Sequence, residues 1–421
     1  MTSSRRRFLQ TSIASSTLVA MGATTVPGFL GRSALAARGV KSNQRILVVV
    51  QLLGGNDGLN TVVPHGIDGY NRGRRALRLS PAQVHKITPE IGLHPAMGAL
   101  AKLLENGRLG IVQGVGYPNP DRSHFRSMEI WETARLENDA QAVETGWLGR
   151  ALDAKGRKPG DDPPALHVGG GALPQALRSR RSEVPALESL ESYKLQVAGA
   201  EPQGKATRSA LTELAGLERR DDDPLLGFIR RTSLSAYESS SRLEQIAPKA
   251  GGGTKAKYPN FGLARRLELV AQMIKADFGT RIFYTSLDGF DTHANQLGSH
   301  QALLNELSDS IAAFHDDLAA AGLADRVVVL SFSEFGRRVQ ENASQGTDHG
   351  AAAPVFLVGP VARPGLIGGH PSLDDLDDGD LKYHTDFRRV YATLLADWLD
   401  CPPAPIIGSG FAPLSLLRRT V

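Results

Sequence analysis

The chain has 421 residues, of which 41% are hydrophobic, and carries a formal net charge of +4. This length and hydrophobic content suit one elaborated domain or two, and they exclude a chain that is disordered throughout. No run of 18 apolar residues occurs after the first thirty positions, which argues against a membrane span in the mature chain, and the single cysteine, Cys401, excludes an internal disulfide.

The N-terminus resembles a twin-arginine export signal. The run Ser4-Arg5-Arg6-Arg7-Phe8-Leu9-Gln10 is followed by a mildly apolar stretch, and Ala34-Leu35-Ala36 suits cleavage by signal peptidase. A basic helix lying on a membrane surface is the alternative interpretation. We therefore predict a signal peptide over residues 1–36, export by the twin-arginine translocase, and a periplasmic or secreted protein without a membrane span after processing.

The positive charge of the whole chain comes from this N-terminal segment. Residues 1–36 contain four of the 48 basic residues and no acidic residue, so that 44 basic and 44 acidic residues remain after cleavage. Short basic clusters at 72–75 and 178–181 are typical of solvated surfaces. The composition therefore gives no support to nucleic-acid binding, and no nucleic-acid partner is predicted.

Apolar runs alternate with helical patterns along the rest of the chain. Strands are predicted at 46–53, 109–115, 165–168, 281–286, 326–332 and 355–358. Helices are predicted at 94–106, 123–135, 261–275, along the apolar stripe of 304–318, and at 385–399. The pattern weakens over about 153–257, which we interpret as an insertion or cap. We predict one α/β domain over 37–421, with a doubly wound, mostly parallel sheet flanked by helices.

Polar residues follow several of the predicted strands. In a doubly wound sheet, ligands bind beyond the carboxyl ends of the strands, where such residues meet. The candidates are Asn56, Asp57, Ser123, Asp288, Asp291, His293, Ser333, Glu334, Arg337, Asp348 and His349. A mixture of imidazoles and carboxylates suits zinc or manganese. The sequence therefore predicts a site for one or two divalent metal ions at this edge.

Five ordered motifs carry a resemblance to a known family. They are Gly-Gly-Asn-Asp-Gly-Leu-Asn, Ser-His-Phe, Gly-Phe-Asp-Thr-His-Ala-Asn-Gln, Ser-Glu-Phe-Gly-Arg and Gly-Thr-Asp-His-Gly. In this order and behind an export signal, they are similar to an exported bacterial family, domain of unknown function 1501, in the alkaline-phosphatase-like superfamily. The resemblance covers nearly the whole mature chain and implies an alkaline-phosphatase-like fold.

The resemblance also implies roles for individual residues. The superfamily holds two divalent metals at the strand ends, with a serine or threonine nucleophile at a helix N-terminus between them. Ser123 resembles that nucleophile, and Asp57 resembles the acid that binds the second metal. The residues that resemble ligands are Asp291, His293, Asp348 and His349, with Asp288 as a rival for the role of Asp291. Glu334 stands where the superfamily has an Asp-His pair, which is a departure from its pattern.

The implied reaction is metal-dependent hydrolysis of a phosphate-type ester, on a small molecule or a polymer. The nucleophile would be Ser123 or a metal-bound water, and Arg337 could clamp the transferred group through two hydrogen bonds. A sulfatase of the formylglycine type is disfavoured, since no Cys-x-Pro-Ser-Arg run exists and Cys401 lies near the C-terminus.

Structural roles are the alternatives for the same residues. Asp57 could shape a turn, as could Asp288, and Ser123 could cap a helix. Glu334 and Arg337, three residues apart, could pair with each other. For the whole protein, the alternative is a non-catalytic periplasmic protein that keeps a metal or anion pocket and serves in binding or assembly.

Overall fold

The computed structural model describes residues 44–136, 144–156, 162–187 and 256–418. The predicted signal peptide and residues 188–255 of the predicted insertion therefore lie outside the described residues. The strands are β1 Ile46–Leu52, β2 Val62–Val63, β3 His85–Lys86, β4 Gly92–Leu93, β5 Leu109–Gly116, β6 Ala165–Val168, β7 Ala186–Leu187, β8 Ile282–Leu287, β9 Val327–Ser333, β10 Arg337–Glu341, β11 Thr347–His349, β12 Ala353–Val358, β13 Gly365–Ile367, β14 Leu376–Asp377, β15 Asp380–Leu381 and β16 Thr385–Asp386.

Helices connect most of these strands. They are α1 Gly58–Thr61, α2 Asp68–Gly73, α3 Gly98–Glu105, α4 His124–Thr133, α5 Trp147–Lys155, α6 Gly262–Lys275, α7 Gln296–Ala320, α8 Phe387–Thr393 and α9 Ala404–Ile407. Single 3₁₀ turns occur at Pro95–Met97, Gln175–Leu177 and Ala324–Arg326, and α8 continues as a π-helical turn over Leu394–Trp398. No helix within the described ranges is long and apolar enough to cross a membrane.

The main sheet is mixed but mostly parallel. Its order is β13-β5-β12-β9-β1-β8-β6-β7, and β16 also pairs with β5. Only the pairings of β12, with β5 and β9, are antiparallel in this sheet of the described chain. The strands β1, β5, β8 and β9 consequently run in the same direction, and their carboxyl ends lie at one edge.

Strand β1 explains how one sheet separates two cores. Its side chains are buried on both faces: Val48 and Val50 belong to one apolar cluster, and Leu47 and Val49 to the other. Successive residues of a strand point to opposite faces, so a continuously apolar run is the expected pattern for a strand covered on both sides. The first cluster contains residues of α3, α6 and α7, and the second contains residues of α4, α5 and α8.

These features confirm the predicted doubly wound α/β class. The strand at Ala165–Val168 is confirmed, and with Ala186–Leu187 it extends the main sheet from within the predicted insertion. The last predicted helix begins two residues late, because Thr385 and Asp386 pair with β5. The carboxylate of Asp386 then accepts a hydrogen bond from the Arg388 amide, which starts α8 at Phe387.

Candidate metal centre

The parallel strands deliver functional side chains to one edge of the sheet. The loop after β1 carries Asp57, α4 begins at His124 shortly after β5, and Asp291 and Glu334 follow β8 and β9. The β10–β11 hairpin, whose strands pair at Arg337 and His349, brings the last histidine to the same place.

One oxygen of Asp291 lies among three imidazoles. Its Oδ1 is 3.0 Å from Nε2 of His293, 3.1 Å from Nε2 of His349 and 3.5 Å from Nε2 of His124. The Nε2 atoms of His293 and His349 are themselves 2.9 Å apart. We call these four residues, Asp291, His124, His293 and His349, the Asp291 cluster.

The other ring nitrogen of each histidine has its own acceptor. Nδ1 of His124 lies 2.9 Å from Glu334 Oε1, Nδ1 of His293 lies 3.3 Å from Asp348 Oδ1, and Nδ1 of His349 lies 2.7 Å from the Arg122 carbonyl oxygen. Carboxylates and carbonyls only accept hydrogen bonds, so each Nδ1 must donate its proton. In the neutral rings, the lone pair of each Nε2 is therefore directed towards the cluster.

In the neutral rings this arrangement brings electron pairs together, and Arg337, whose Nη1 lies 3.4 Å from His293 Nε2 and whose Nη2 donates to Asp291, compensates only part of them. Three Nε2 lone pairs and a carboxylate oxygen repel one another unless a cation lies among them. Metal-bound histidines commonly donate the other N–H to a carboxylate or carbonyl, as all three rings do here. The cluster therefore has the donor atoms and the outer hydrogen bonds of a metal site.

His124 gives an independent indication of a metal site. Its Nε2 is buried and makes no hydrogen bond with any residue that the structure describes. One nitrogen of His124, one of His349 and one oxygen of Asp291 lie within 4.8 Å of each other. Ligands about 2.0–2.1 Å from a tetrahedral zinc ion are about 3.3 Å apart, similar to the distances around Asp291. These residues fit a divalent metal ion.

Charges within the chain shift the titration of this cluster. Burial tends to raise the pKa of Asp291, but the hydrogen bond and the charge of Arg337 lower that pKa to about 2. The hydrogen bond to Glu334 raises the pKa of His124, whereas burial lowers the pKa of His349. The carboxylate of Asp291 is thus ionised across the physiological pH range.

A glycine lets the first loop approach Asp291. Gly54 has φ +115°, and a Cβ built on it would lie 2.4 Å from the Asp291 amide nitrogen. Any larger residue would push the two loops apart and would also be strained at this φ. Gly54 therefore allows the backbone of the loop after β1 to lie against Asp291.

Glu334 lies beneath the cluster rather than in it. The side chain is fully buried, and its Oε1 accepts hydrogen bonds from His124 and from the Gly54 amide, both at 2.9 Å. Its Oε2 accepts a bond from the Ser333 hydroxyl, also at 2.9 Å. Glu334, predicted as a metal ligand, therefore contacts the cluster through His124.

Arg337 connects three loops through its guanidinium. Its nitrogens donate to the carbonyls of Gly54, Gly55, Phe290 and Thr347, and Nη2 also donates to Asp291 at 2.7 Å. The side chain is fully buried. These bonds occupy the donors that a bidentate clamp on substrate would need.

Asp57 is separated from the cluster by its own partners. It is fully buried and receives two bonds from Arg74, one of them 3.0 Å long, and a third of 2.5 Å from Gln296. Burial tends to raise the pKa of Asp57, but the charge of Arg74 and the hydrogen bonds from Arg74 and Gln296 together lower that pKa. Asp57 also caps α1 through the Asn60 amide. Its predicted role as a ligand of a second metal stays a prediction.

Three further candidates are exposed at the surface. Ser123 is exposed, immediately precedes α4, and its side chain makes no capping hydrogen bond. Asp288 is exposed in the loop after β8. Asp348 is exposed and accepts a bond of 3.1 Å from Asn342, which together with the contact to His293 lowers its pKa. Of these, Asp348 is the one in contact with a member of the cluster.

Sequence reasoning missed two residues of this edge. The sequence indicates no role for His124, although Ser-His-Phe is one of the five motifs, and it places Arg74, which is fully buried, in a cluster typical of solvated surfaces. His300 lies on α7 outside the predicted apolar stripe of 304–318, yet it is buried, with its Nε2 3.0 Å from Asn56 Oδ1. The motif that contains His124 is the signal that could have found it.

The described structure has low similarity to several solved structures. A sulfatase from Pseudoalteromonas sp. aligns at 12% identity and a TM-score of 0.36, over 81% of this chain and 67% of the other. A protein in the alkaline phosphatase superfamily from Vibrio parahaemolyticus aligns at 11% identity and 0.36, over 87% and 69%. A C-terminal periplasmic domain from Escherichia coli, in complex with zinc, aligns at 11% and 0.31, over 76% and 73%.

No curated protein matches the sequence significantly. A family profile, described as "Protein of unknown function (DUF1501)", matches residues 82–398. This range includes four of the five motifs, all except the Gly-Gly-Asn-Asp-Gly-Leu-Asn run at 54–60. The match spans about three quarters of the chain and confirms the predicted family: the chain belongs to DUF1501.

Proposed function

We propose that the protein is an exported hydrolase of phosphate-type esters that depends on one divalent cation, zinc or manganese, held by the Asp291 cluster. The observation that carries this proposal is the convergence of three Nε2 lone pairs on the Asp291 carboxylate, with every Nδ1 committed to another acceptor. When bound, the cation supplies Lewis acidity, which lowers the pKa of a hydroxyl or water and polarises an ester.

The chain's own residues orient this chemistry. Glu334 and Asp348 fix the ring orientation of His124 and His293, and the Arg122 carbonyl fixes that of His349. Arg337 holds Asp291 against the loops after β1 and β8, so we assign it a positioning role. The nucleophile would be Ser123, which immediately precedes His124 in the chain, or a water activated at the same site.

The proposal is tested by metal content and ester turnover in the exported, processed protein. Elemental analysis and hydrolysis of p-nitrophenyl phosphate, bis(p-nitrophenyl) phosphate and p-nitrophenyl sulfate would be compared in the wild type and the His349→Ala variant. His85→Ala is a matched control, since His85 is an exposed histidine bonded to the Pro95 carbonyl at 3.0 Å.

We expect about one metal per chain in the wild type and in His85→Ala, with turnover of at least one phosphate ester. His349→Ala should lose both. Absence of metal from the wild type, or metal content unchanged in His349→Ala, would contradict the assignment. About two metals per chain would instead support the second site predicted around Asp57.

The second candidate function is a non-catalytic metal- or anion-binding or assembly protein. It is favoured by the internal partners of Asp57, Glu334 and Arg337, which leave these three groups committed within the chain. The wild type, in which His124 and Ser123 are intact, would then contain one metal per chain but hydrolyse none of the esters. That result would support this candidate over the hydrolase.

A further inference from the structure

An open groove rich in arginine lies away from the Asp291 cluster. It has a volume of about 720 Å³ and lies among the end of α4, helix α5, the start of α8 and residues 405–411. Helix α4 begins at His124 and has ten residues, so at about 1.5 Å per residue its two ends are about 15 Å apart. The groove is therefore distinct from the metal centre, although one helix connects them.

The groove carries an excess of positive charge. Among the described residues, the charged side chains that line it are Arg135, Arg150, Arg180, Arg181, Arg388 and Asp153. Arg388 pairs with Asp386 at 2.7 Å, and Arg180 pairs with Glu144 at 3.4 Å. The carboxylate of Asp153 accepts bonds from the backbone amides of residues 180 and 181 and from the Ser179 hydroxyl.

Three of the five arginines have no carboxylate partner within the described ranges of the chain. Arg150 is fixed by the carbonyls of Thr133, Thr145 and Ile406, which orient its guanidinium but do not neutralise it. Burial, and then the charge of Arg135, lower the pKa of Arg150 to about 10. Arg135 and Arg181 make no side-chain hydrogen bond within those ranges. Like charges held together in this way are stabilised when an anion lies between them.

The shape and chemistry of the groove restrict the ligand. Its volume lies in the range of about 300–1,000 Å³ that is usual for small-molecule sites. Guanidinium groups present planar pairs of donors that match phosphate and sulfate oxygens. Phe411, which stacks at 4.0 Å from the Arg388 guanidinium, adds an apolar wall for the rest of a ligand.

We infer that this arginine groove binds an organic anion through a phosphate or sulfate group. The ligand's oxyanion would lie between Arg135, Arg150 and Arg181, with its carbon portion towards Phe411. This inference does not depend on hydrolysis at the Asp291 cluster.

Titration calorimetry with inorganic phosphate and inorganic sulfate, at constant ionic strength in chloride, tests the inference. The groove variant is Arg135→Gln with Arg181→Gln, two side chains without described partners. The matched control is Arg75→Gln with Arg78→Gln, two exposed arginines elsewhere that give the same change in charge. His349→Ala reports on binding at the metal centre.

We expect the wild type, the control and His349→Ala to bind phosphate or sulfate with similar affinity, and the groove variant to bind at least tenfold more weakly. The tighter of the two anions identifies the group that the groove recognises. An unchanged melting temperature of the groove variant in chloride establishes that it is folded. Absence of binding to the wild type, equal affinity in the groove variant, or loss of binding in His349→Ala would each overturn the inference.

Discussion

Two acidic residues at the same edge of the sheet, Asp57 and Asp291, have opposite surroundings. Asp57 follows β1 and is fully buried, with its oxygens bonded to Arg74 and Gln296. Asp291 follows β8, its side chain is 49% exposed, and Oδ1 faces three imidazoles. Position after a strand therefore does not determine what a carboxylate does.

The two carboxylates differ in the source of the positive charge beside them. Asp57 has a cation from its own chain, because Arg74 is fully buried beside it and also bonds to the carbonyls of residues 338 and 339. Asp291 shares Arg337 with four carbonyl groups and with His293 Nε2, and the buried Nε2 of His124 has no hydrogen-bond partner within the described ranges. The first site is complete within the chain, whereas we propose an added cation as the partner of the second.

Breaking the Asp57 pair should have the largest effect on stability. Arg74→Ala would leave a buried carboxylate without its cation, and we expect the free energy of unfolding to fall by about 3–5 kcal/mol. The Asp291 cluster does not contact Arg74, so the folded fraction should keep its metal. Urea unfolding and elemental analysis of the folded fraction measure the two quantities.

A neutral pair is the control for this prediction. Asp57→Asn together with Arg74→Gln keeps hydrogen-bonding groups and removes both charges, so it should cost less than Arg74→Ala alone. If Arg74→Ala loses metal but remains as stable as the wild type, Asp57 belongs to the metal centre and the comparison fails.

A pH effect of about 3 kcal/mol is expected from His300, which lies beside Asp57. Burial, with further contributions from His94 and Arg74, lowers the pKa of His300 to about 4 from a usual 6.5. In the unfolded chain this histidine binds a proton below about pH 6.5, whereas in the folded chain His300 binds it only below about pH 4. Stability should therefore decline as the pH falls through this window, by about 3 kcal/mol for one histidine.

Unfolding of the metal-free protein by urea, at several pH values between 4 and 7.5, measures this decline. His300→Gln keeps a donor for Asn56 but does not titrate, so its stability should depend less on pH. His349→Ala, at the Asp291 cluster, is the control and should keep most of the decline. An equal slope in the wild type and His300→Gln would assign the pH dependence elsewhere.

The sequence predicts the framework of this edge because continuous apolar runs identify strands buried on both faces, and parallel strands end together. It also predicts the grouping of Asp291, His293 and His349. The orientation of His124 could not be predicted, since it depends on Ser123 being a non-helical residue with ψ 126° rather than part of the helix. Arg74 lies just after a short helix, without a periodic pattern, and its carboxylate partner is 17 positions away.

The burial of His300 also could not be read from the apolar stripe of its helix. Its ring bonds to Asn56 and lies edge-on to the rings of His94 and Phe290. Hydrophobic periodicity detects only the apolar part of a buried helix face.

Glu334 is buried like Asp57, but it contacts the Asp291 cluster. The Glu334→Gln variant therefore tests what a buried acceptor contributes to metal binding. Glutamine keeps an oxygen for the His124 ring or for the Gly54 amide but removes the charge. We expect metal affinity to fall about 10–100-fold, the usual cost of losing an outer carboxylate. Metal titration of the apoprotein measures the change. Loss of affinity comparable to His349→Ala would instead indicate that Glu334 is itself a ligand.

Asp348→Asn should have the smallest effect, and it sharpens the same comparison at the exposed side of the cluster. Asp348 contacts His293 at 3.3 Å, but its side chain is 58% exposed, so water can replace part of its interaction with the ring. Asparagine also keeps an acceptor oxygen for Nδ1. We therefore expect metal affinity to fall less than tenfold, and less than in Glu334→Gln, when both variants are titrated in the same buffer. If Asp348→Asn bound metal more weakly than Glu334→Gln, the exposed His293 would contribute more to metal affinity than His124. Burial of the outer carboxylate would then not determine its contribution to that affinity.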